Sequence, residues 1–294
     1  MTINPPDRLV TLIKKNLLFF KKDAQIVFVC GKDIKAHGSK RKIILEYARR
    51  NTPNIHLLLA EDFFNELEDK NTDILTIEKK LSEYSDCILI ILESESAFCE
   101  LGAFAVDDCL SKKMLIINDK KFKNSPSFIN YGPIKKIETN KYDFAGILYV
   151  DMESILSCAK DLKECFQKLI NPRGVRTNFN EFVELEQNVK GRMLFLCDIV
   201  SLLSPVSHKE LIAFLTLIYG KKNFKFLKTD LNILISLKLL IRKEQYYIRN
   251  KSGIHFLRLN FTDEIKLRSQ MTIEYKKKDP SRLQLLEKAY EETA

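Results

Sequence analysis

Apolar runs of strand length alternate with helical segments through the first half of this chain, and this alternation constrains its fold more than any other feature. The runs lie at 25–30, 55–59, 87–92, 113–117 and 146–150. Helical patterns occupy about 39–50 and 73–84, and another begins near Ala97. Because strands separated by helices form βαβ units, the pattern predicts an α/β domain with a parallel sheet. Ligands of such sheets bind beyond the carboxyl ends of the strands.

The pattern changes after about residue 150. Residues 153–170 read as helical, Asn171-Pro172-Arg173-Gly174 reads as a break, and residues 183–203 read as one apolar helix. A capping box at Ser207–Glu210 and the pair Thr229-Asp230 begin two more helices, and residues 240–249 form a short hairpin. Three helices and a hairpin indicate a winged helix, and a charged helical tail follows from about Thr262. We therefore predict domains at 1–150 and 183–294, joined by a helical connector at 151–182.

Composition narrows the class of protein. A chain of 294 residues suggests two domains, and its seven scattered cysteines, without a CxxC pair, favour neither a disulfide framework nor a metal site. No apolar run is long enough for a membrane span, and the N-terminus lacks the features of a secretory signal, so we expect a cytoplasmic protein. The net charge of +9 fits a nucleic-acid or phosphate-rich partner, or ordinary solvated lysines.

Glu100 is the leading candidate for chemistry. It follows the third strand, in the first turn or so of the next helix, where a carboxylate can attack an anomeric carbon or stabilise its oxocarbenium-like transition state. Alternatively, it only favours the helix dipole. Glu93 and Glu95 either divide acid and base roles with Glu100 or form an exposed acidic loop. Ser94 and Ser96 either bind ribose hydroxyls or cap the helix.

The other strand ends supply candidate substrate-binding residues. After the first strand, the glycine loop and the following helix N-terminus could hold a phosphate, although no known phosphate-loop motif is present. After the second strand, two acids could contact a ribose or simply begin a helix. Two segments after the fourth strand could contact a base or a ribose, form a subunit interface or, around Gly132-Pro133, form a turn. In chain order the candidates are Cys30, Gly31, Lys32, His37, Ser39, Arg41, Glu61, Asp62, Asn118, Asp119, Asn130 and Tyr131.

Two elements of the predicted winged helix would face a nucleic acid: the recognition helix and the hairpin. Basic residues precede the helix and lie on the hairpin. They flank Tyr246 and Tyr247 and could contact a phosphate backbone, or the domain could serve protein contacts alone. The candidates are Lys225, Lys228, Arg242, Lys243 and Arg249.

Four strings together resemble one known family. They are Phe28-Val29-Cys30-Gly31, the Glu93-Ser94 end of the third strand, residues 98–104 (FCELGAF) and residues 128–133 (FINYGP). They look like the effector proteins of bacterial retron anti-phage systems, which join a Rossmann-like, nucleoside 2-deoxyribosyltransferase-like domain to a C-terminal winged helix. Glu100 and Gly102 match the transferase nucleophile and the glycine after it. Ser96 and Ala97 replace a Gly and a Thr of the transferase pattern, which favours hydrolysis over base exchange.

The resemblance implies a function beyond what the residues establish. It implies a toxic effector that hydrolyses the N-glycosidic bond of NAD, with NAD as substrate and no other cofactor. A reverse transcriptase and its branched RNA–DNA product (msDNA) would hold the effector inactive until infection. Lys32, Lys35, Lys40 and Arg41 would hold the pyrophosphate, and a homo-oligomer is expected. The alternatives are an N-glycosidase of free nucleosides or nucleotides, and an inactive nucleotide-sensing regulator that binds DNA.

Overall fold

The chain forms two compact units. One consists of Asp23–Pro172 and is called here the α/β unit, and the other combines Met1–Lys22 with Arg173–Ala294 and is called the helical unit. The computed structural model describes residues 5–15, 25–67, 73–139, 146–169, 179–250, 256, 259 and 261–291.

Helices and strands account for most of the described residues. The strands are β1 Gln25–Cys30, β2 Ile55–Leu58, β3 Cys87–Ile91, β4 Met114–Asp119, β5 Gly146–Val150, β6 Val206–Ser207, β7 Leu240–Lys243 and β8 Tyr246–Arg249. The helices are α1 Asp7–Lys14, α2 Lys40–Asn51, α3 Ala60–Asn65, α4 Ile74–Tyr84, α5 Glu95–Ala105, α6 Asp108–Ser111, α7 Lys135–Thr139, α8 Ala159–Leu169, α9 Phe182–Gln187, α10 Val189–Leu203, α11 His208–Tyr219, α12 Leu227–Ser236, α13 Phe261–Lys278 and α14 Ser281–Glu291.

A five-stranded sheet forms the centre of the α/β unit. Its order is β2-β1-β3-β4-β5, and every pair is parallel. All residues of β1 and β3 are buried, as expected when helices cover both faces of a sheet. The predicted Rossmann-like α/β fold is therefore confirmed. Because the chain moves from β1 to one side and then returns past it to β3, a crevice for ligands is expected at the carboxyl ends of these two strands.

The segment predicted as a connector packs largely on this sheet. Residues 152–158 form a 3₁₀ helix that leads into α8. Ile155, Leu162 and Phe166 are buried in the same core as the strands. Residues 151–169 therefore belong with the α/β unit because their apolar face covers it. The predicted break at 171–174 lies outside the described residues.

The opening helix α1 groups with the helical unit, although the sequence pattern predicted it as part of the domain at 1–150. Its apolar face is buried through Leu9, Leu12 and Ile13. Arg8 Nε donates a hydrogen bond of 2.6 Å to Asp263 on α13. These contacts explain the grouping, which the sequence pattern of α1 alone does not reveal.

The helical unit contains the predicted three helices and hairpin. Helices α10, α11 and α12 accompany an antiparallel sheet of order β6-β8-β7, and the capping box at Ser207 and Glu210 is confirmed. The single helix predicted at 183–203 is wrong, because the chain breaks at Asn188, whose side chain caps α10. The predicted start at Thr229-Asp230 is also wrong, because α12 begins at Leu227. Asp230 is fully buried in an ion pair with Arg192.

Some features are absent from the part of the chain that the structure describes. No helix there is long and apolar enough to cross a membrane. No three His, Cys, Asp or Glu side chains in the same ranges are placed to share a metal ion. All seven cysteines are free thiols.

Candidate active site

A cavity of about 570 Å³ lies at the carboxyl end of β1, between α3, α4 and the start of α5. This volume is typical of small-molecule sites, and the location is where a sheet of this order binds ligands. Its walls are partly apolar and carry several charged groups. The lining residues are Phe28, Val29, Cys30, Gly31, Asp33, Ile34, Lys35, Arg41, Ala60, Glu61, Asp62, Phe64, Asn65, Ile74, Ile77, Glu78, Ser96 and Glu100.

Helix α5 directs Glu100 toward this cavity. The Ser94 hydroxyl accepts the Ala97 N–H and caps the helix, so that Glu100 lies in the second turn. Ala97, Leu101 and Phe104 are buried at the i−3, i+1 and i+4 positions relative to Glu100. This periodicity places Glu100 beside the buried face of α5. Since the influence of the helix dipole fades after the first turn, the dipole does not account for a carboxylate at this position.

Glu100 and Glu78 form a pair of interacting carboxyl groups. Burial, followed by the negative charge of Glu78, raises the pKa of Glu100 to about 8. Burial also raises the pKa of Glu78. Oε2 of Glu100 is buried and has no hydrogen-bond partner among the described residues. With a pKa of about 8, Glu100 is mostly protonated near neutral pH, and the negative charge of Glu78 beside it favours that protonated form.

Arg41 supplies positive charge behind the pair. Its guanidinium donates two hydrogen bonds, of 2.6 and 2.9 Å, to the carboxylate of Glu61 on α3. Burial alone would raise the pKa of Glu61, but these bonds and the Arg41 charge outweigh it and lower that pKa. The charge of Arg41 also opposes the rise in the pKa of Glu100. Arg41 is thus paired with a protein carboxylate, although its position after the first strand predicted a contact with phosphate.

Glu93 anchors the start of α2 to the end of β3. Its carboxylate accepts the backbone N–H groups of Lys40 and Arg41, each at 2.7 Å. Gly31 lies against this junction with φ of +151°, and a Cβ there would come within 3.2 Å of the Arg41 side chain. Glu93 therefore occupies the helix N-terminus that was predicted to bind phosphate, and its role is to position α2.

Three further predicted residues of the first loop lie outside the cavity lining. Lys32 Nζ donates to the carbonyl oxygen of His37, whose side chain is exposed. The buried Ser39 caps α2 by accepting the Lys42 N–H. These residues shape the loop without facing the cavity.

The predicted residues after β4 are also placed apart from the cavity. Asn118 and Asp119 belong to β4 instead of following it. Asn130 donates from its side chain to the carbonyl oxygens of Phe122 and Ser125, which commits its amide to the loop. Tyr131 is exposed and belongs to a π-helix at Asn130–Ile134. This helix takes the place of the turn that was predicted around Gly132-Pro133.

Only some of the predicted catalytic and substrate-binding residues line the cavity. Cys30, Gly31, Glu61, Asp62 and Ser96 line it together with Arg41 and Glu100. Glu95 is exposed on the first turn of α5, and Ser94 acts as its cap.

Glu78 is the residue that sequence reasoning missed. It lies on α4 between Ile77 and Leu81, on the buried face of that helix. A glutamate at a buried helical position is uncommon unless it is paired, so this position was the available signal. Its carboxyl partner comes from α5, which follows a strand later in the chain.

The predicted nucleic-acid residues lie in different environments within the helical unit. Lys225, Lys228 and Arg242 are exposed, and Lys243 is partly exposed. Arg249 is partly buried, and burial followed by the charge of Arg268 lowers its pKa. Arg249 is therefore the least accessible member of the predicted set.

The fold and the cavity define an α/β protein with a paired-carboxylate site, joined to a helical unit that carries exposed basic side chains. A family model described as "STM3845 retron effector protein" matches residues 37–244. An Escherichia coli protein named "Retron Ec73 putative ribosyltransferase/DNA-binding protein" is 33% identical over 282 residues, covering 90% of this chain and 88% of that protein. Another, named "Retron Ec86 putative ribosyltransferase/DNA-binding protein", is 32% identical over 141 residues, covering 47% of this chain and 42% of that protein. The chain belongs to this retron effector family.

The Glu78–Glu100 pair predicts how stability depends on pH. Because the pKa of Glu100 is raised in the folded state, its contribution to stability is present below the unfolded value of 4.5 and is lost as the pH rises through about 8. Glu100→Gln removes this loss, so its melting temperature is expected to exceed that of the wild type by roughly 2–4 °C at pH 9, for a gain of about 1 kcal/mol. The difference is expected to shrink toward pH 5, as followed by thermal denaturation.

Glu95→Gln is the matched control, because Glu95 is exposed on the same helix. Its melting temperature is expected to follow the wild type at every pH. A Glu100→Gln protein whose stability relative to wild type does not change between pH 5 and pH 9 would contradict the buried carboxyl pair.

Proposed function

We propose that the chain is a retron effector that hydrolyses the N-glycosidic bond of NAD and releases nicotinamide. The observation that carries the proposal is the Glu78–Glu100 pair in a cavity at the carboxyl end of the sheet. The relatives named as ribosyltransferases support chemistry at a ribosyl carbon. We further propose that a reverse transcriptase and its msDNA hold the activity in check, as the family resemblance implies.

The chemistry requires little beyond these two carboxyl groups. As the bond from C1′ to the base nitrogen breaks, its electron pair leaves with the base and positive charge develops at C1′ and the ring oxygen. Ionised Glu100 stabilises this charge or bonds to C1′. Water then attacks C1′: its oxygen forms the new C1′–O bond, any bond between C1′ and Glu100 breaks, and the proton that the water loses passes to Glu100 and then to solvent. Because the pKa of Glu100 is about 8, Glu100 must first give up its proton, and Glu78 on α4 is the group that accepts it.

NAD suits this site because its nicotinamide is already cationic and leaves as a neutral molecule. The leaving group then needs no protonation, and the carboxyl pair is free to act on C1′. Ser96, which lines the cavity in place of the transferase glycine, adds a side chain beside the sugar position. This departure favours water over a second base as the acceptor.

Nicotinamide release by the purified 294-residue chain, without reverse transcriptase or msDNA, tests the proposal. Glu100→Gln is expected to lower kcat by roughly 10²–10⁴-fold, since it removes the group that stabilises charge at C1′. Glu78→Gln is expected to lower kcat less and to shift the pH–rate profile, because Glu78 sets the protonation of Glu100. Glu95→Gln is expected to retain wild-type kinetics.

Full hydrolysis by Glu100→Gln would exclude the mechanism. Cleavage of free nucleosides or nucleotides, with NAD left intact, would support the same catalytic site and show that NAD is not its substrate. Tight nucleotide binding without any cleavage would point instead to a sensing regulator.

We also propose that the helical unit is a winged helix that contacts nucleic acid. Helices α10 to α12 and the β6-β8-β7 sheet have the required order. Lys225 lies two residues before α12, Lys228 is the second residue of that helix, and Arg242 is exposed on β7. Basic side chains placed in this way match phosphate contacts, and the relatives' names include DNA binding.

Duplex DNA binding at several salt concentrations checks this assignment. The double variant Lys225→Ala/Lys228→Ala is expected to weaken binding and to lower the slope of log K against log salt by roughly 2, about one for each phosphate contact. The double variant Lys276→Ala/Lys277→Ala on α13 serves as a control of equal charge. Equal slopes for the two double variants would argue against a specific role for the start of α12.

A further inference from the structure

The lining of the cavity carries an excess of negative charge. Five carboxyl groups face it, from Asp33, Glu61, Asp62, Glu78 and Glu100, against the two cations Lys35 and Arg41. When the Glu78–Glu100 pair holds one proton, four ionised carboxylates face two cations. The described lining therefore has two uncompensated negative charges.

The position of the two cations leaves the interior negative. Arg41 is buried and is neutralised by its bidentate pair with Glu61. Lys35 is exposed at the rim, in the loop where the Asp33 carboxylate accepts the Lys35 N–H at 2.9 Å. Asp33 is exposed in the same loop, so the carboxyl groups left in the interior without a cation are Asp62 and the Glu78–Glu100 pair.

Apolar side chains complete the interior. Ile77 is buried on the wall, and Phe28 lies at the base next to Cys30. Phe64 is partly buried beside Asp62 on α3. Apolar surface combined with uncompensated carboxylates suits a flat ring that carries positive charge, because such a ring gains both packing and electrostatic attraction.

We propose that the cavity selects its substrate by charge, accepting N-ribosyl compounds whose base is a cation and discriminating against neutral bases of the same shape. This inference rests on the proposed function and names its substrate class, the ribosylated pyridinium. Asp62 is the specificity-determining carboxylate, since it lines the cavity without the ion pair that engages Glu61.

Two small rings that differ in charge and by one N-methyl group provide the test. The ligand 1-methylnicotinamide is cationic and nicotinamide is neutral, and neither has a glycosidic bond, so binding is measured apart from turnover. Calorimetric titration of the 294-residue chain is expected to show at least a tenfold preference for the cation. Asp62→Asn is expected to reduce this preference severalfold while leaving nicotinamide affinity unchanged.

Asp108→Asn is the control, because Asp108 is an exposed carboxylate outside the cavity, paired with Lys136 at 2.9 Å. It is expected to leave the preference unaltered. Equal affinities for the two rings, a preference for nicotinamide, no binding of either ring, or equal effects of the two substitutions would each overturn the inference.

The two proposals fail in distinguishable ways. A chain that hydrolyses NAD but binds both rings equally would retain the proposed function and refute charge selection. A chain that prefers the cation but releases no nicotinamide from NAD would retain charge selection and refute the proposed hydrolysis.

Discussion

The repulsion between two partly buried carboxyl groups, Glu78 and Glu100, is the interaction on which the site depends. Burial raises the pKa of both groups, and the negative charge of Glu78 raises that of Glu100 further, so that a proton is held on Glu100 near neutral pH. The groups come from different helices, α4 and α5, which the fold brings together at the carboxyl end of β1. Strongly shifted pKa values that have a specific charged neighbour and lie in a cleft are concentrated at functional sites.

The surrounding framework holds this pair in place with a few directed contacts. Glu93 ties the end of β3 to the first amides of α2, and that helix carries Arg41. Arg41 in turn is oriented by Glu61, so that its charge tempers the pair without neutralising it. Gly31 leaves room for the Arg41 side chain to pass close to the β1 backbone. Contacts from β1, α2, α3 and β3 together fix the position of the Arg41 charge near Glu78 and Glu100.

The secondary structure of the α/β unit could be predicted because buried strands and capped helices leave local patterns. The strand Gln25–Cys30 and the helix after Ser39 are examples in which the pattern marks the element directly. The partners of Glu78, Arg41 and Asp230 could not be predicted in the same way. Each depends on a contact between residues distant in sequence, and a carboxylate that caps a remote helix looks the same in sequence as one that reacts.

Infrared titration of the carboxyl C=O stretch, on the wild type and Glu100→Gln, tests the shared proton most directly. The account predicts a protonated carboxyl group in the wild type that persists above pH 6 and disappears near pH 8. The same step is expected to be absent from Glu100→Gln. If the wild type shows no protonated carboxyl group above pH 6, or if Glu100→Gln keeps an unchanged step near pH 8, the pair does not hold a proton as described.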